Sequence, residues 1–315
     1  MVKNYVHLDD CTAFLNYFSP WNNVLEGYVF RGHSSEKFEL KPTAMRDGFL
    51  EKYPPLYSKS NEAFRHHPRM IQIRKIISEF ILLRDFYMMA DRQGLHLPNS
   101  EYLRDSLNYE TPYELLSRFS SEEATHWIPK HLEEVAALAQ HYKIPTRLLD
   151  WTYDPYVALY FACKGAINKE GRLAIWCFNK KETALHFGLN GRLKIRFITP
   201  PYSGNPNLNA QKGLFTHIPI TIKRIHIDTP LEKTEYQALD ELIEGSLDIQ
   251  NAPKEVFRIV TLPCSQAAKT CDLLEKNNYG IDRIFPGYQG IADRINQRYP
   301  PKDFNQYFSI NSVNS

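Results

Sequence analysis

Residues 141–162, HYKIPTRLLDWTYDPYVALYFA, constrain this chain more than any other stretch. Ile144 precedes Pro145 and is pushed toward extended backbone, so a helix expected over 129–140 ends near His141-Tyr142. Residues 146–152 then alternate as a strand does. Thr146, Leu148, Asp150 and Thr152 share one face; Arg147, Leu149 and Trp151 share the other. Asp154-Pro155 is an acidic N-cap with proline at the first helical position, and Val157, Ala158, Tyr160 and Phe161 carry the helix on. A strand ending at Thr152 and feeding that helix leaves Asp150, Trp151 and Thr152 at an exposed strand end, where ligand sites commonly lie. There Trp151 can stack on a ring, and Asp150 can hold a ribose hydroxyl or orient Arg31. The same residues also suit a structural ion pair between Arg147 and Asp150 with Trp151 in the core.

Two other segments carry candidate chemistry. In YVFRGHSS, residues 28–35, strand alternation sets Arg31 beside His33, next to a glycine and two hydroxyls. A guanidinium with backbone donors suits a phosphate or carboxylate; alternatively, Arg31 only ties the strand to a loop. In NPNLNAQKGLF, residues 205–215, Gln211 sits at a loop-to-strand edge, where its amide can orient a polar ligand group or simply dress the loop.

Elsewhere, helices are expected over 8–17, 70–93, 265–277 and 287–297, and strands over 27–32, 173–178 and 256–262. The 70–93 helix shows Met70, Ile73, Ile77, Phe80 and Tyr87 on one face, with Arg74, Lys75, Glu79 and Arg92 opposite. Residues 180–250 read as short strands and loops. Without a βαβ rhythm the fold class is α+β, with central mixed or antiparallel sheets and flanking helices. At 315 residues and 43% hydrophobic content, one domain is expected over 1–300, with an inserted helical region at about 60–140 and a polar tail at 301–315.

A net charge of +2 gives no indication of nucleic-acid binding, although a local basic groove is compatible with it. MVKNYVHLDDCTAFL lacks a basic-then-apolar leader, no apolar run approaches a membrane span, and the five cysteines form no C-x-x-C pair. The expectation is a cytoplasmic protein with no membrane contact. His126 and His131 have no metal-type neighbours in the sequence, so no metal is predicted.

Phe30-Arg31-Gly32, then Leu40-Lys41-Pro42-Thr43 and Arg46, the 141–162 stretch, AQKGLF, and IFPGYQGIADRI at 284–295 resemble, in order and spacing, the FRG-domain family, named for its Phe-Arg-Gly triplet. The resemblance covers roughly residues 20–297. It implies a bacterial or phage setting near toxin or antiviral-defence genes, and a more distant likeness to ADP-ribosyltransferases, fold included. On that likeness Phe30-Arg31-Gly32 looks like the strand whose arginine binds the NAD phosphates. LLDWTYDPYVALYFA looks like the Ser-Thr-Ser strand with its helix, and Gln211 stands near the place of the acidic residue. The implied catalytic residues are Arg31, Asp150 and Gln211; His33, His141, Tyr142, Arg147, Trp151 and Thr152 would bind NAD as co-substrate, and ADP-ribose would pass to a macromolecular acceptor. The sequence departs from the pattern in having Asp150-Trp151-Thr152 for Ser-Thr-Ser, glutamine for glutamate at 211, and Asn207 where the family often has arginine. A non-catalytic nucleotide or nucleic-acid binding module is the alternative reading. A metal-independent nuclease or hydrolase using Arg31, His141 and Asp150 is the third.

Overall fold

The computed structural model describes residues 2–22, 25–55, 66–106, 126–191, 193–221, 230–247 and 253–299. The expected tail at 301–315, and the parts at 60–65 and 107–125 of the region expected to be an insertion, lie outside the described residues. Strand β1 (Lys3–His7) leads into helix α1 (Cys11–Tyr17), capped by the Asp10 carboxylate, which accepts from the Thr12 and Ala13 N–H groups. Next come β2 (Tyr28–His33), α2 (Phe49–Lys52), α3 (Pro68–Arg92) and α4 (Glu101–Ser106). The centre of the chain forms β3 (His126–Trp127), α5 (Glu133–His141), β4 (Leu149–Thr152) and α6 (Pro155–Ala166). Then follow β5 (Arg172–Asn179), α7 (Lys180–Asn190), β6 (Arg196–Ile198), α8 (Pro206–Gln211), β7 (Gly213–His217), β8 (Ile220–Thr221) and α9 (Leu239–Ser246). The last are β9 (Phe257–Pro263), α10 (Ala267–Lys276), α11 (Ile281–Ile284) and α12 (Tyr288–Arg298).

Seven strands make one mixed sheet in the order β1-β9-β5-β2-β4-β7-β6, and β3 pairs with β8 apart from it. The β1–β9 pair is parallel; the other neighbours in the sheet are antiparallel. The α+β class with a mixed sheet is as expected. The region 180–250 is not: it holds α7, α8 and α9. Asn179 caps α7 through the Glu182 N–H, and Gly191 ends it at φ 63°, signals present in the sequence that the reading of loops passed over.

Both sheet faces are covered, and β5 shows how. Its Leu173, Ile175 and Cys177 pack with α1, α6 and α10, while Ala174, Trp176 and Phe178 pack with α7 and α9. A third cluster joins α3 and α5 to Leu148 and Phe215. Gly32 on β2 lies directly under α6: a Cβ there would stand 2.0 Å from the Ala158 carbonyl oxygen.

The orientation of α3 corrects the sequence reading. Gln72, Lys75, Ile76, Glu79, Phe80, Leu83 and Tyr87 are buried, whereas Met70, Ile73 and Ile77 are only partly so. Lys75 and Glu79, expected to face solvent, point inward. Lys75 Nζ donates to the Met45 and Arg46 carbonyls at 3.0 and 3.3 Å, and Glu79 serves a buried arginine described below.

His217 on β7 gives the fold a pH dependence. It is buried, its Nε2 accepts from the Ile128 N–H at 3.0 Å, and burial, with Arg147 nearby, pushes its pKa down to about 3. The unfolded chain therefore binds more protons at this residue below its ordinary value of 6.5. The stability it contributes is fully present above that pH and lost as pH falls toward 3, by up to about 1.4 kcal/mol per pH unit. Urea unfolding at pH 7 and pH 5 should show this loss, and His217→Gln, which can still accept from Ile128, should reduce it. Equal losses in both proteins would refute the assignment.

Candidate functional site

A cleft of about 810 Å³ opens where β2, β4 and the ends of α5 and α8 meet α6 and the α11–α12 corner. β2 and β4 share a single paired register, Phe30 with Thr152, and Arg31 bridges the strands beyond it. Its Nη1 donates to the Asp150 carbonyl at 2.9 Å and pairs with Asp150 Oδ1 at 2.6 Å. Its Nε donates to His33 Nε2 at 2.9 Å. Nη2 has no partner among the described residues. The Arg31 side chain is 13% exposed and that of Asp150 64%, so the pair is held from behind and open in front.

The electrostatics follow from this geometry. Seating in the cleft works to raise the Asp150 pKa, but the charge and hydrogen bond of Arg31 outweigh it and hold the carboxyl below the usual range. His33 is buried; burial first, and Arg31 second, push it down to about 3. It stays neutral and accepts from Arg31, so it positions the guanidinium from outside the cleft lining. Burial also lowers the pKa of His141, against the pull of Asp150. The His141 ring meets Tyr142 edge to face at 5.4 Å.

The other expected site residues divide. Thr152 lines the cleft, but its hydroxyl donates to the Gln211 carbonyl at 2.6 Å and accepts from the Asp154 N–H at 3.0 Å. Gln211 also lines it, with its amide donating to the Ile284 carbonyl at 3.2 Å. Both therefore hold the walls together. Trp151 borders the cleft, yet its indole packs on Phe178 at 5.3 Å and donates to Thr216 Oγ1 at 2.9 Å; it is a core ring, as strand alternation allows.

Arg147 lies deeper still. The suggested structural pair with Asp150 does not form, since Arg147 meets Glu79 of α3 instead. Arg147 Nε reaches Glu79 Oε2 at 2.7 Å, the Arg147 backbone N–H reaches Oε1 at 2.8 Å, and Trp127 Nε1 donates to Oε2 at 2.9 Å. This buried cluster anchors the loop from α5 to β4, and with it the His141 side of the cleft. The Ala44 N–H, which donates to the Thr146 carbonyl at 3.2 Å, ties the 42–46 segment to the same loop.

Sequence reasoning missed several residues that line the cleft: Lys143, Phe161, Phe285, Gln289 and Asp293. Lys143 sits at φ 69°, in the left-handed turn that ends α5, a placement that no local spacing announces. The segment 284–295 stood out as a motif but without a role.

No helix among the described residues is long and apolar enough to cross a membrane. No curated protein and no solved structure matches the chain. Residues 90–171 match the family model of the FRG domain, a span that takes in α5, β4 and α6.

Proposed function

Because the chain carries an FRG domain, we propose that the cleft binds NAD and transfers ADP-ribose to a macromolecular acceptor, in a bacterial toxin or phage-defence setting. One observation carries this reading: Arg31, with Nη2 unpartnered among the described residues, and Asp150 stand side by side in one concave site of about 810 Å³, within the usual range for small-molecule pockets. The guanidinium takes the pyrophosphate, with Lys143 adding charge, and the anion draws Arg31 away from Asp150. The released carboxylate then faces the nicotinamide ribose. The bond from C1′ to the nicotinamide nitrogen breaks with its electron pair leaving on nicotinamide, and Asp150 stabilises the cationic sugar. An acceptor heteroatom bonds to C1′ and gives its proton to neutral His141 or to water.

The engagement of Gln211 and Thr152 in backbone hydrogen bonds favours a second reading, in which the cleft binds a nucleotide without turnover. Labelled NAD, offered with protein and nucleic-acid acceptors, separates the two. Arg31→Gln should weaken NAD binding at least about tenfold, the scale of a charge-assisted hydrogen bond. Asp150→Asn should keep binding and lower transfer by about a hundredfold or more. Binding without any product supports the second reading, and absence of NAD binding overturns the proposal.

A further inference from the structure

The wall of the cleft formed by α6 and the α11–α12 corner has a different chemistry. Phe161 of α6 meets Phe285, just past α11, with ring centroids 6.1 Å apart and planes at 82°. Two rings at a right angle form a corner that accepts one further flat ring. Phe285 is fixed in place: its N–H donates to the Ile281 carbonyl at 2.8 Å, and α12 lies so close that a Cβ on Gly290 would stand 1.8 Å from the Phe285 carbonyl oxygen.

On α12, Gln289 and Asp293 are one turn apart, and both line the cleft. Gln289 Nε2 donates to Asp293 Oδ1 at 2.8 Å. The second amide hydrogen and Asp293 Oδ2 have no partner among the described residues. The helix thus presents a donor beside an acceptor, in an order set by their own hydrogen bond. An adenine edge offers the complement, an amino N–H beside a ring-nitrogen acceptor. Hypoxanthine, with a carbonyl in place of the amino group, sets an acceptor against the carboxylate.

We propose that this wall of the cleft is an adenine subsite, in which the base seats in the Phe161–Phe285 corner, its amino group donates to Asp293, and its ring nitrogen accepts from Gln289. The assignment rests on the reading above in one respect: the phosphates lie at Arg31 and the reacting ribose at Asp150, which leaves this wall for the distal base.

Calorimetric titration with NAD, nicotinamide hypoxanthine dinucleotide, ADP and IDP tests it. The protein should prefer each adenine ligand over its hypoxanthine counterpart by about tenfold, the scale of one matched base contact. In Asp293→Asn, whose amide can turn to either edge, that ratio should fall to about one with an unchanged melting temperature. Phe161→Ala should weaken both bases alike, by about tenfold. Equal affinity for NAD and its hypoxanthine analogue overturns the subsite and leaves the NAD reading standing. A preference for ADP over IDP without NAD binding does the reverse. Failure of all four ligands to bind overturns both.

Discussion

Glu79→Ala is expected to lower the free energy of unfolding by about 3–5 kcal/mol, the cost of leaving a buried charge unpaired. The side chains of Arg147 and Glu79 are 1% and 0% exposed, so neither can turn to water when the other is lost. Glu79 also accepts from Trp127 Nε1 and from the Arg147 backbone N–H, so the substitution strands two further donors. Urea unfolding followed by circular dichroism measures the loss. Because the carboxylate anchors the loop between α5 and β4, ligand affinity of the folded fraction should fall as well. Glu79→Gln keeps the shape and part of the hydrogen bonding, and should cost less than alanine while remaining clearly destabilising. A Glu79→Ala protein within about 1 kcal/mol of the parent, the ordinary cost of a substitution, would show that the cluster does not hold the fold.

The second large effect is expected at Gly32, on a strand where its backbone torsions are ordinary. Its added Cβ would stand 2.0 Å from the Ala158 carbonyl oxygen and 2.9 Å from the Ala162 nitrogen. Both obstructions are helix backbone, so no side chain can swing aside; α6 as a whole must lift from β2. Overpacking of this kind costs about 1–3 kcal/mol or more, and Gly32→Ala belongs at the upper end. α6 also carries Val157, Ala158 and Phe161 into the cleft, so the proposed nucleotide binding should suffer in parallel. Gly245→Ala is the control. It lies in α9 with nothing among the described residues within 4 Å of the added atom, and alanine there should be neutral or stabilising by up to about 1 kcal/mol. If both substitutions prove equally mild in thermal melts, the close approach of α6 to β2 is wrong.

The features legible in the sequence were those whose causes are local. Asp154-Pro155 marks the start of α6 because an N-cap and a fixed proline φ act within one turn; the Asp154 carboxylate does accept the Tyr156 N–H, at 3.1 Å. β5 was legible because its run of apolar residues needs cover on both faces. Arg31 and Asp150 stood out as chemically unusual residues, and an aspartate able to orient that arginine was one of the readings the sequence offered; the pair does form, at 2.6 Å. The face of α3 was misread because Lys75 and Glu79 count as polar in any periodicity, yet each is buried against a partner from a distant part of the chain. β1 went unrecognised because its ladder lies against β9, at the other end of the described chain.

By itself, then, the sequence determined the α+β class and the capped helix after the central strand, and it named the candidate residues for holding an anion. Tertiary structure decided which of them meet. Alternation along β4 allows Asp150 to face the cleft while Trp151 fills the core, but only the neighbouring strands settle which face is the wet one. Charge pairing does the rest. Arg147 was free, on sequence grounds, to join Asp150; packing α3 against the α5–β4 loop gives it Glu79 instead and leaves Asp150 to Arg31. That exchange turns one arginine into a buried anchor and the other into the residue that faces the cleft.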